Sequence, residues 1–309
     1  MPEIACLGLL VADTVGATID RLPTRGTLSL IDRIELHTGG CAANTGAALA
    51  VLGVSTAVLG KVGADGFGDF VTESLAKAGV ETRGIGRDPQ VATAATIVAV
   101  HGDAERSFLH VIGANATVTA GDVDWDIAGG AAIFHVAGLQ LMPALEGDGI
   151  REVLVQAKAR GLLTTLDTVM NPRSLGWDGL ASALPYLDWA LPSFEEARAL
   201  TGETKALRQA RRFQAAGAKN VAVKMGANGC LVAPETGKPF HVAPLAVEAV
   251  DSLGAGDAWA AGFLTGLLRG WPLEKTARFA NAVGACCVQA YGSTAGIRTF
   301  TETLALIGE

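Results

Sequence analysis

Short apolar segments alternate with amphipathic helical segments along most of the chain. Gly68 to Ala78 and Lys205 to Ala216 have helical spacing, and helical segments end at glycines such as Gly79 and Gly217. This alternation predicts a mostly parallel sheet that is covered by helices, with ligands bound at the carboxyl ends of the strands. The predicted strands are Ile4 to Leu10, Thr56 to Leu59, Ala131 to Val136, Leu162 to Leu166, Leu187 to Leu191 and Val221 to Val223.

Two segments do not follow this alternation. Residues 14–37 contain no long helical stripe, and residues 91–112 have the pattern of two strands, Val91 to Val100 and Arg106 to Ile112, around the turn His101-Gly102-Asp103. We expect these segments to form a small accessory sheet. Such a sheet either covers the ligand end of the protein as a lid or extends an edge of the main sheet, and we expect the lid.

The composition is that of a globular protein, and we expect one domain that spans residues 1–309. Of the 309 residues, 50% are hydrophobic and 18% are charged, and the net charge is −7. This acidic balance disfavours nucleic acid as a partner, because phosphate neutralisation needs a basic surface. The five cysteines are odd in number and include no CxxC pair, which favours a reducing compartment. Since no signal peptide or membrane span is apparent, we expect a cytoplasmic protein without a membrane partner.

The most informative segment is Asp251-Ser252-Leu253-Gly254-Ala255-Gly256-Asp257, which precedes a helix predicted from about Ala255 to Arg269. A helix N-terminus after a glycine-rich turn presents free N–H groups. The amides of Gly254, Ala255 and Gly256 are therefore a candidate anion hole for a transferring phosphoryl group. Asp257 is either a helix cap or a base that accepts the proton of an attacking hydroxyl. Asp251 is either a turn residue or a ligand for a cation beside the hole.

The order of the motifs resembles the PfkB, or ribokinase-like, carbohydrate kinases over essentially the whole chain. The most specific match is Asp251 to Asp257, which is similar to the family's D-T-x-G-A-G-D signature. Ser193 is a departure, because it stands where the family's N-x-x-E segment usually has asparagine. The other similar segments are Gly39-Gly40-Cys41-Ala42-Ala43-Asn44, Gly60 to Gly68, Leu191 to Gly202, Val223 to Gly229 and the helix around Asn281-Ala282.

The resemblance implies a fold and a set of roles. The fold is α/β, a ribokinase-like three-layer sandwich with a central, mostly parallel sheet and a small β-sheet lid, through which some members dimerise. The activity is phosphorylation of a sugar hydroxyl by ATP and Mg²⁺, with Asp257 as the base and Gly254, Ala255 and Gly256 as the anion hole. Glu196 would orient water around Mg²⁺, and Asp251 is a candidate ligand of a monovalent cation such as K⁺. The other implied residues are Asp13, Gly39, Gly40 and Asn44 for the sugar, and Lys224, Gly226, Gly229 and Asn281 for ATP.

The residue after the paired glycines, Cys41, bears on the substrate. Family members that act on sugar phosphates typically carry lysine there, whose charge recognises the phosphate. The resemblance therefore implies an unphosphorylated sugar or sugar acid of the ribose, fructose or 2-keto-3-deoxygluconate type. Arg106 and His110 in the predicted hairpin are further polar candidates. Arg173 follows the strand ending at Asp167, in a segment that loosely resembles fructokinases and 2-keto-3-deoxygluconate kinases, and is a candidate clamp for a substrate carboxylate.

Two other functions are compatible with the sequence. A nucleoside kinase on the same fold needs an aromatic platform for the base, which Phe108 and Trp125 could supply. The other is a catalytically silent relative that binds a sugar or a nucleotide. The intact Gly-Ala-Gly-Asp sequence that ends at Asp257 argues against this silent relative.

Overall fold

The computed structural model describes residues 1–102 and 105–308, so Asp103 of the predicted turn lies outside the described residues. None of the helices in these ranges combines the length and the apolar composition that crossing a membrane requires. The strands are β1 (Ile4–Gly8), β2 (Val11–Ala17), β3 (Arg33–Gly39), β4 (Thr56–Gly63), β5 (Ile85–Asp88), β6 (Ala95–Val100), β7 (Arg106–Val111), β8 (Ile133–Ala137), β9 (Leu163–Asp167), β10 (Trp189–Ala190), β11 (Asn220–Lys224), β12 (Cys230–Ala233) and β13 (Phe240–Val242). The α-helices are α1 (Cys41–Val51), α2 (Gly66–Lys77), α3 (Trp125–Ala128), α4 (Asp148–Ala159), α5 (Asp178–Ala181), α6 (Phe194–Thr201), α7 (Ala206–Ala215), α8 (Ala255–Leu268), α9 (Leu273–Cys287) and α10 (Phe300–Leu306).

A large sheet forms the centre of the molecule. Within the described residues it contains nine strands in the order β13-β12-β11-β10-β9-β8-β1-β4-β5. Neighbouring strands from β5 to β11 run parallel, whereas β12 and β13 pair antiparallel at the edge. The six strands predicted from apolar segments correspond to β1, β4, β8, β9, β10 and β11, with small shifts at their ends. The mostly parallel sheet predicted from the sequence is thus confirmed.

Helices cover both faces of this sheet. Every residue of β1 is buried, and alternate side chains of a strand point to opposite faces. Ile4 and Cys6 belong to a core cluster that includes Phe263 of α8, whereas Leu7 belongs to a second cluster that includes Phe213 of α7. Parallel strands buried on both faces are expected to be continuously apolar. The fold is therefore the predicted three-layer α/β arrangement.

A second, separate sheet is formed by the segments that broke the alternation. In the described part of the chain it contains four strands in the order β3-β2-β6-β7. Strands β6 and β7 pair antiparallel, which confirms the predicted hairpin, and the sheet is not an extension of the large one. Strand β2 begins at Val11 and pairs with β3 as far as Gly39. The small sheet therefore extends beyond the predicted segment 14–37, because only two residues separate β1 from β2.

The polar residues of interest meet at one edge of the large sheet. Strand β9 ends at Asp167 and β11 ends at Lys224, and the carboxyl ends of parallel strands share an edge. Helix α1 begins after Gly40 and packs against α8, which begins after Gly254. Strand ends and two helix N-termini thus converge at this edge.

Candidate active site

The turn before α8 has the geometry that the glycine-rich motif predicts. Gly254 is the N-cap residue with φ of 75°, and a Cβ atom there would lie 2.6 Å from the Ser293 carbonyl oxygen. Only glycine fits such a position without strain. The first hydrogen bond of the helix runs from the Ala258 N–H to the Gly254 carbonyl. The Gly256 amide lies before this bond and therefore has no hydrogen-bond acceptor within the helix. The amide of Ala255 donates a longer bond of 3.3 Å to the Ser252 carbonyl.

Asp257 lies in the first turn of α8 and is half-buried. Its Oδ2 atom accepts a hydrogen bond of 2.8 Å from Nδ2 of Asn44, which lies in the first turn of α1. Burial raises the pKa of Asp257 to about 6, against the opposing influence of Asn44, Lys224 and Cys41. Near neutral pH the group is ionised yet has a higher proton affinity than an ordinary aspartate. These are the properties of a general base.

Lys224 forms a buried ion pair with Asp167. Nζ of Lys224 lies 2.5 Å from Oδ2 of Asp167, and the two side chains are 9% and 3% exposed. Nζ is also 3.4 Å from where a Cβ atom on Gly256 would be, so the ammonium lies beside the start of α8. Burial raises the pKa of Asp167 to about 7, although the Lys224 charge opposes this. Asp167 was not among the predicted site residues, although an acidic residue at the end of a buried parallel strand is a usable signal.

Glu196 is held in a fixed orientation at the start of α6. Its Oε2 atom accepts bonds of 2.8 Å from the Ser193 amide and from the Thr168 hydroxyl. Ser193 caps the helix in return, so this serine provides the local structure where the family usually has asparagine. The Glu196 carboxylate lines the same cavity as Asp257. Oxygen donors of this kind fit a Mg²⁺ ion that keeps its water ligands.

The described residues contain no cluster of three or more protein ligands that could enclose a metal ion. Magnesium that is bound mainly through waters and substrate phosphates does not need such a cage. The residues present therefore fit Mg²⁺ through Glu196 rather than a dedicated metal centre.

Asp257 lines a cavity of about 740 Å³. Gly226 and Gly229, two of the residues predicted to bind ATP, lie on its wall. Asn281 also lines it, but the Asn281 amide is bonded within the protein. Its Oδ1 accepts from the Trp259 indole at 2.8 Å, and its Nδ2 donates to the Ala243 carbonyl at 2.9 Å. Asn281 thus supports the cavity wall. The volume is within the range of small-molecule sites.

The residues expected to bind the sugar form a row that ends at Asp257. Asp13 is 8% exposed in β2, and a side chain at Gly39 would collide with its carboxylate. Gly40 is the N-cap residue of α1 with φ of 93°, and Asn44 connects this helix to Asp257. The structure therefore places Gly39 against Asp13 and joins Asn44 directly to Asp257.

Two histidines lie close enough to Asp13 to influence its charge: His110, which was a polar candidate of the hairpin, and His37, which was not predicted. His37 of β3 lies opposite Asp13 in the strand register, and Thr96 of β6 lies on its other side. Nδ1 of His110 is 3.1 Å from the Thr96 hydroxyl. Burial raises the pKa of Asp13 and lowers that of His110. The face of the small sheet around Asp13 is thus lined with hydrogen-bonding groups.

The two candidate arginines lie away from this row. Nη2 of Arg106 is 2.8 Å from Oδ2 of Asp251, so the guanidinium is already paired with a carboxylate. Arg173 is exposed, and it is not among the residues that line the cavity. The backbone amide of Arg173 donates to Oδ1 of Asn171. In the described part of the chain, neither arginine side chain forms a hydrogen bond or an ion pair with Asp257.

The chain matches the family model described as pfkB family carbohydrate kinase over residues 1–299. It is similar to a sugar kinase of Pyrococcus horikoshii, with 29% identity over 94% of this chain and 91% of the relative. It is also similar to the 2-dehydro-3-deoxygluconokinase of Bacillus subtilis, with 28% identity over 89% of this chain and 87% of the relative.

Two solved structures that are similar to this chain are also of sugar kinases. The Arabidopsis thaliana ribokinase complexed with ribose and ATP has a TM-score of 0.87 and 26% identity, and covers 100% of this chain and 99% of its own. A ribokinase II of Escherichia coli in complex with ATP and Mg²⁺ has a TM-score of 0.84 and 25% identity, with 99% of both chains covered. The family model spans nearly the whole chain, and the motifs stand at the positions described above. The protein therefore belongs to the pfkB family of carbohydrate kinases.

Proposed function

We propose that this carbohydrate kinase transfers the γ-phosphoryl group of ATP to a hydroxyl of a small, unphosphorylated sugar or sugar acid. Ribose, fructose and 2-keto-3-deoxygluconate represent the proposed class. The observation that carries the proposal is the position of Asp257, directly after the Gly254 turn and hydrogen-bonded to Asn44 of the predicted sugar row. A base and an anion-binding turn beside a row of hydrogen-bonding groups suit phosphorylation of a polyol.

In this mechanism Asp257 accepts the proton of the substrate hydroxyl. The hydroxyl oxygen then forms a bond to the γ-phosphorus as the bond from that phosphorus to the bridging oxygen of ADP breaks. Amides at the start of α8 and the Lys224 ammonium stabilise the charge on the transferring group. Mg²⁺, held through Glu196, would neutralise phosphate charge. Asp167 holds Lys224 in place beside the start of α8.

The charges around Cys41 support an unphosphorylated substrate. Cys41 lines the cavity together with Asp167, Glu196 and Asp257, and burial keeps the pKa of its thiol well above the ordinary value. The thiol is therefore neutral, and the nearby Lys224 is paired with Asp167. A phosphate already on the sugar would lie near these carboxylates, while Lys224 is engaged by Asp167 and by the transferring phosphoryl group, so its binding would cost free energy.

The test is ADP release from MgATP with ribose, fructose, 2-keto-3-deoxygluconate, adenosine, fructose 1-phosphate and tagatose 6-phosphate. Asp257→Asn is measured in parallel. We expect turnover with an unphosphorylated sugar or sugar acid, and a loss of about two or more orders of magnitude in the variant. Preference for a sugar phosphate or for adenosine would contradict the proposed substrate class. A variant as active as the wild type would contradict the role of Asp257.

We propose that the small sheet is a lid over the sugar and that its outer face pairs with a second copy of the chain. The strand register places Leu36, Ile97 and Leu109 on the face opposite Asp13. Ile97 and Leu109 are 55% and 62% exposed. The neighbouring face positions in these strands carry no charged side chain. An exposed, uncharged apolar sheet face of this kind favours self-association.

Light scattering after size exclusion tests the dimer. We expect the wild type at twice the monomer mass, and Ile97→Glu as a monomer, because a charge would have to be buried at the centre of the interface. Glu73→Lys, on an exposed part of α2, is the matched charge-changing control and should remain dimeric. A monomeric wild type would contradict the pairing.

We propose a cytoplasmic location, which suits five cysteines that are all free of disulfides.

A further inference from the structure

The carboxylate of Asp251 is surrounded by protein donors. Its Oδ2 accepts from Nη2 of Arg106 at 2.8 Å and from the Gly292 amide at 2.7 Å, and its Oδ1 accepts from the Leu253 amide at 3.0 Å. The Asp251 side chain is 3% exposed and that of Arg106 is 13% exposed. The ion pair is therefore largely excluded from water. Arg106 comes from β7 of the small sheet, whereas Asp251 lies three residues before the Gly254 turn.

The carbonyl groups next to Asp251 are also occupied by protein donors. The Cys287 thiol lies 3.2 Å from the Ser293 carbonyl oxygen and 3.6 Å from that of Leu253. The Val288 carbonyl accepts from the amides of Val250 and Asp251. A monovalent metal ion at Asp251 needs several such oxygens as ligands, and it would also face the positive charge of Arg106. The groups present do not fit an exchangeable cation at this position.

We propose that the guanidinium of Arg106 is the cation of this site, in place of a monovalent metal ion. It neutralises Asp251 and so positions the segment that leads into the Gly254 turn. Because Arg106 belongs to the small sheet, the same contact joins that sheet to the phosphate end of the active site. Arg106 is thus a positioning residue for phosphoryl transfer. The inference rests on the proposed function only because turnover is one of the two quantities that test it, the other being Tm.

The first experiment compares chloride salts of K⁺, Na⁺ and tetramethylammonium at one ionic strength, so that general screening is constant. Initial rates are measured with the sugar that the substrate panel selects. We expect the wild-type kcat to vary by less than about twofold among the three salts, and its Tm to vary by less than about 1 °C, since binding only to the native state would raise Tm. Activation of the wild type by about tenfold in K⁺ would overturn the proposal.

Arg106→Ala supplies the second experiment. It leaves Asp251 without its counter-charge and leaves room for a small ion. In tetramethylammonium we expect kcat to fall by at least about tenfold, equivalent to ~1.4 kcal/mol, and K⁺ should restore part of this loss. Wild-type kcat in the variant would overturn the proposal. A loss that K⁺ does not change would limit Arg106 to a structural role and would also overturn it.

Two further variants serve as controls. Arg106→Lys keeps the positive charge and should remain independent of K⁺. Arg33→Ala removes another arginine of the small sheet, whose side chain is 51% exposed beside Glu35, and should leave both kcat and the salt response unchanged.

Failure of the proposed function is recognised separately. If no sugar in the panel is turned over, the substrate class is wrong, but the melting experiment still decides the inference. The Tm of Arg106→Ala should then be lower than that of the wild type and should rise in K⁺ relative to tetramethylammonium. A wild-type Tm that rises in K⁺ would overturn the inference without reference to activity.

Discussion

Loss of the Asn44 hydrogen bond should shift the pH dependence of the reaction. Asn44 Nδ2 lies 2.8 Å from Asp257 Oδ2, and this bond stabilises the ionised carboxylate. A hydrogen bond to a charged group contributes about 1.5–3 kcal/mol, and one pKa unit corresponds to ~1.4 kcal/mol. Replacing Asn44 by Ala should therefore raise the pKa of Asp257 by about one unit or more.

The sign of the effect follows from the proposed role of Asp257 as a base. Only the ionised form accepts a proton, so kcat/KM for the sugar falls as the pH decreases through the pKa of Asp257 in the enzyme that has not yet bound sugar. With the wild-type pKa at about 6, about half of the enzyme is ionised at pH 6. With the variant pKa near 7, only about a tenth is ionised there. Ionisation alone then lowers kcat/KM about fivefold at pH 6, and less at pH 8.

The assay is kcat/KM for the sugar between pH 5 and pH 9, with MgATP saturating. Thr45→Val is the matched control, because the Thr45 hydroxyl contacts the backbone carbonyl of Asp257 and not its carboxylate. Titration of ATP contributes equally to all three profiles, so the difference between them reports Asp257. We expect a higher midpoint for Asn44→Ala only. Coincident midpoints for Asn44→Ala and the wild type would refute the assignment of the acidic limb to Asp257.

Three further predictions concern the phosphate end of the site. Gly254→Ala should lower kcat by about 100-fold or more and should also lower Tm, because the φ of 75° and the contact with Ser293 both oppose a side chain. Gly270→Ala is the control, since Gly270 has φ of 64° but open space around it. This control should lower Tm and leave kcat unchanged. Lys224→Met should lower kcat by about 100-fold and raise the KM for ATP, and wild-type kinetics would contradict a phosphate role. Asp167→Asn should impair kcat less than Lys224→Met, because the amide oxygen still accepts from the ammonium; a larger loss would indicate that the charge of Asp167 is itself required.

Much of the fold followed from local patterns. Continuous apolar residues in β1 and β8 identified buried parallel strands, and helical spacing with terminal glycines identified α2 and α7. The hairpin of the small sheet was also predicted from a local pattern, because its two strands are neighbours in sequence. The start of β2 at Val11 was missed, since no turn signal separates it clearly from β1.

The candidate site could be predicted from the sequence only in part. Asp257 and Gly254 were identified because a glycine-rich turn before a helix is a local signal. The bond from Asn44 to Asp257 spans 213 positions, and the ion pair of Lys224 and Asp167 spans 57. Which side chains meet over such separations depends on how the strands are ordered. The sequence could propose these residues individually but not their partners.

Arg106 illustrates the limit most clearly. As a sequence position it was a candidate for substrate binding, and Asp251 was a candidate for a cation. The tertiary structure places them 2.8 Å apart, although 145 positions separate them. The sequence by itself determined the layered α/β fold and was sufficient to propose the anion-binding turn and the base, because periodicity, glycine conformation and helix capping act over a few residues. The structure alone decided the pairing of buried charges, because burial makes each charge require a partner that only the packing of distant segments can supply.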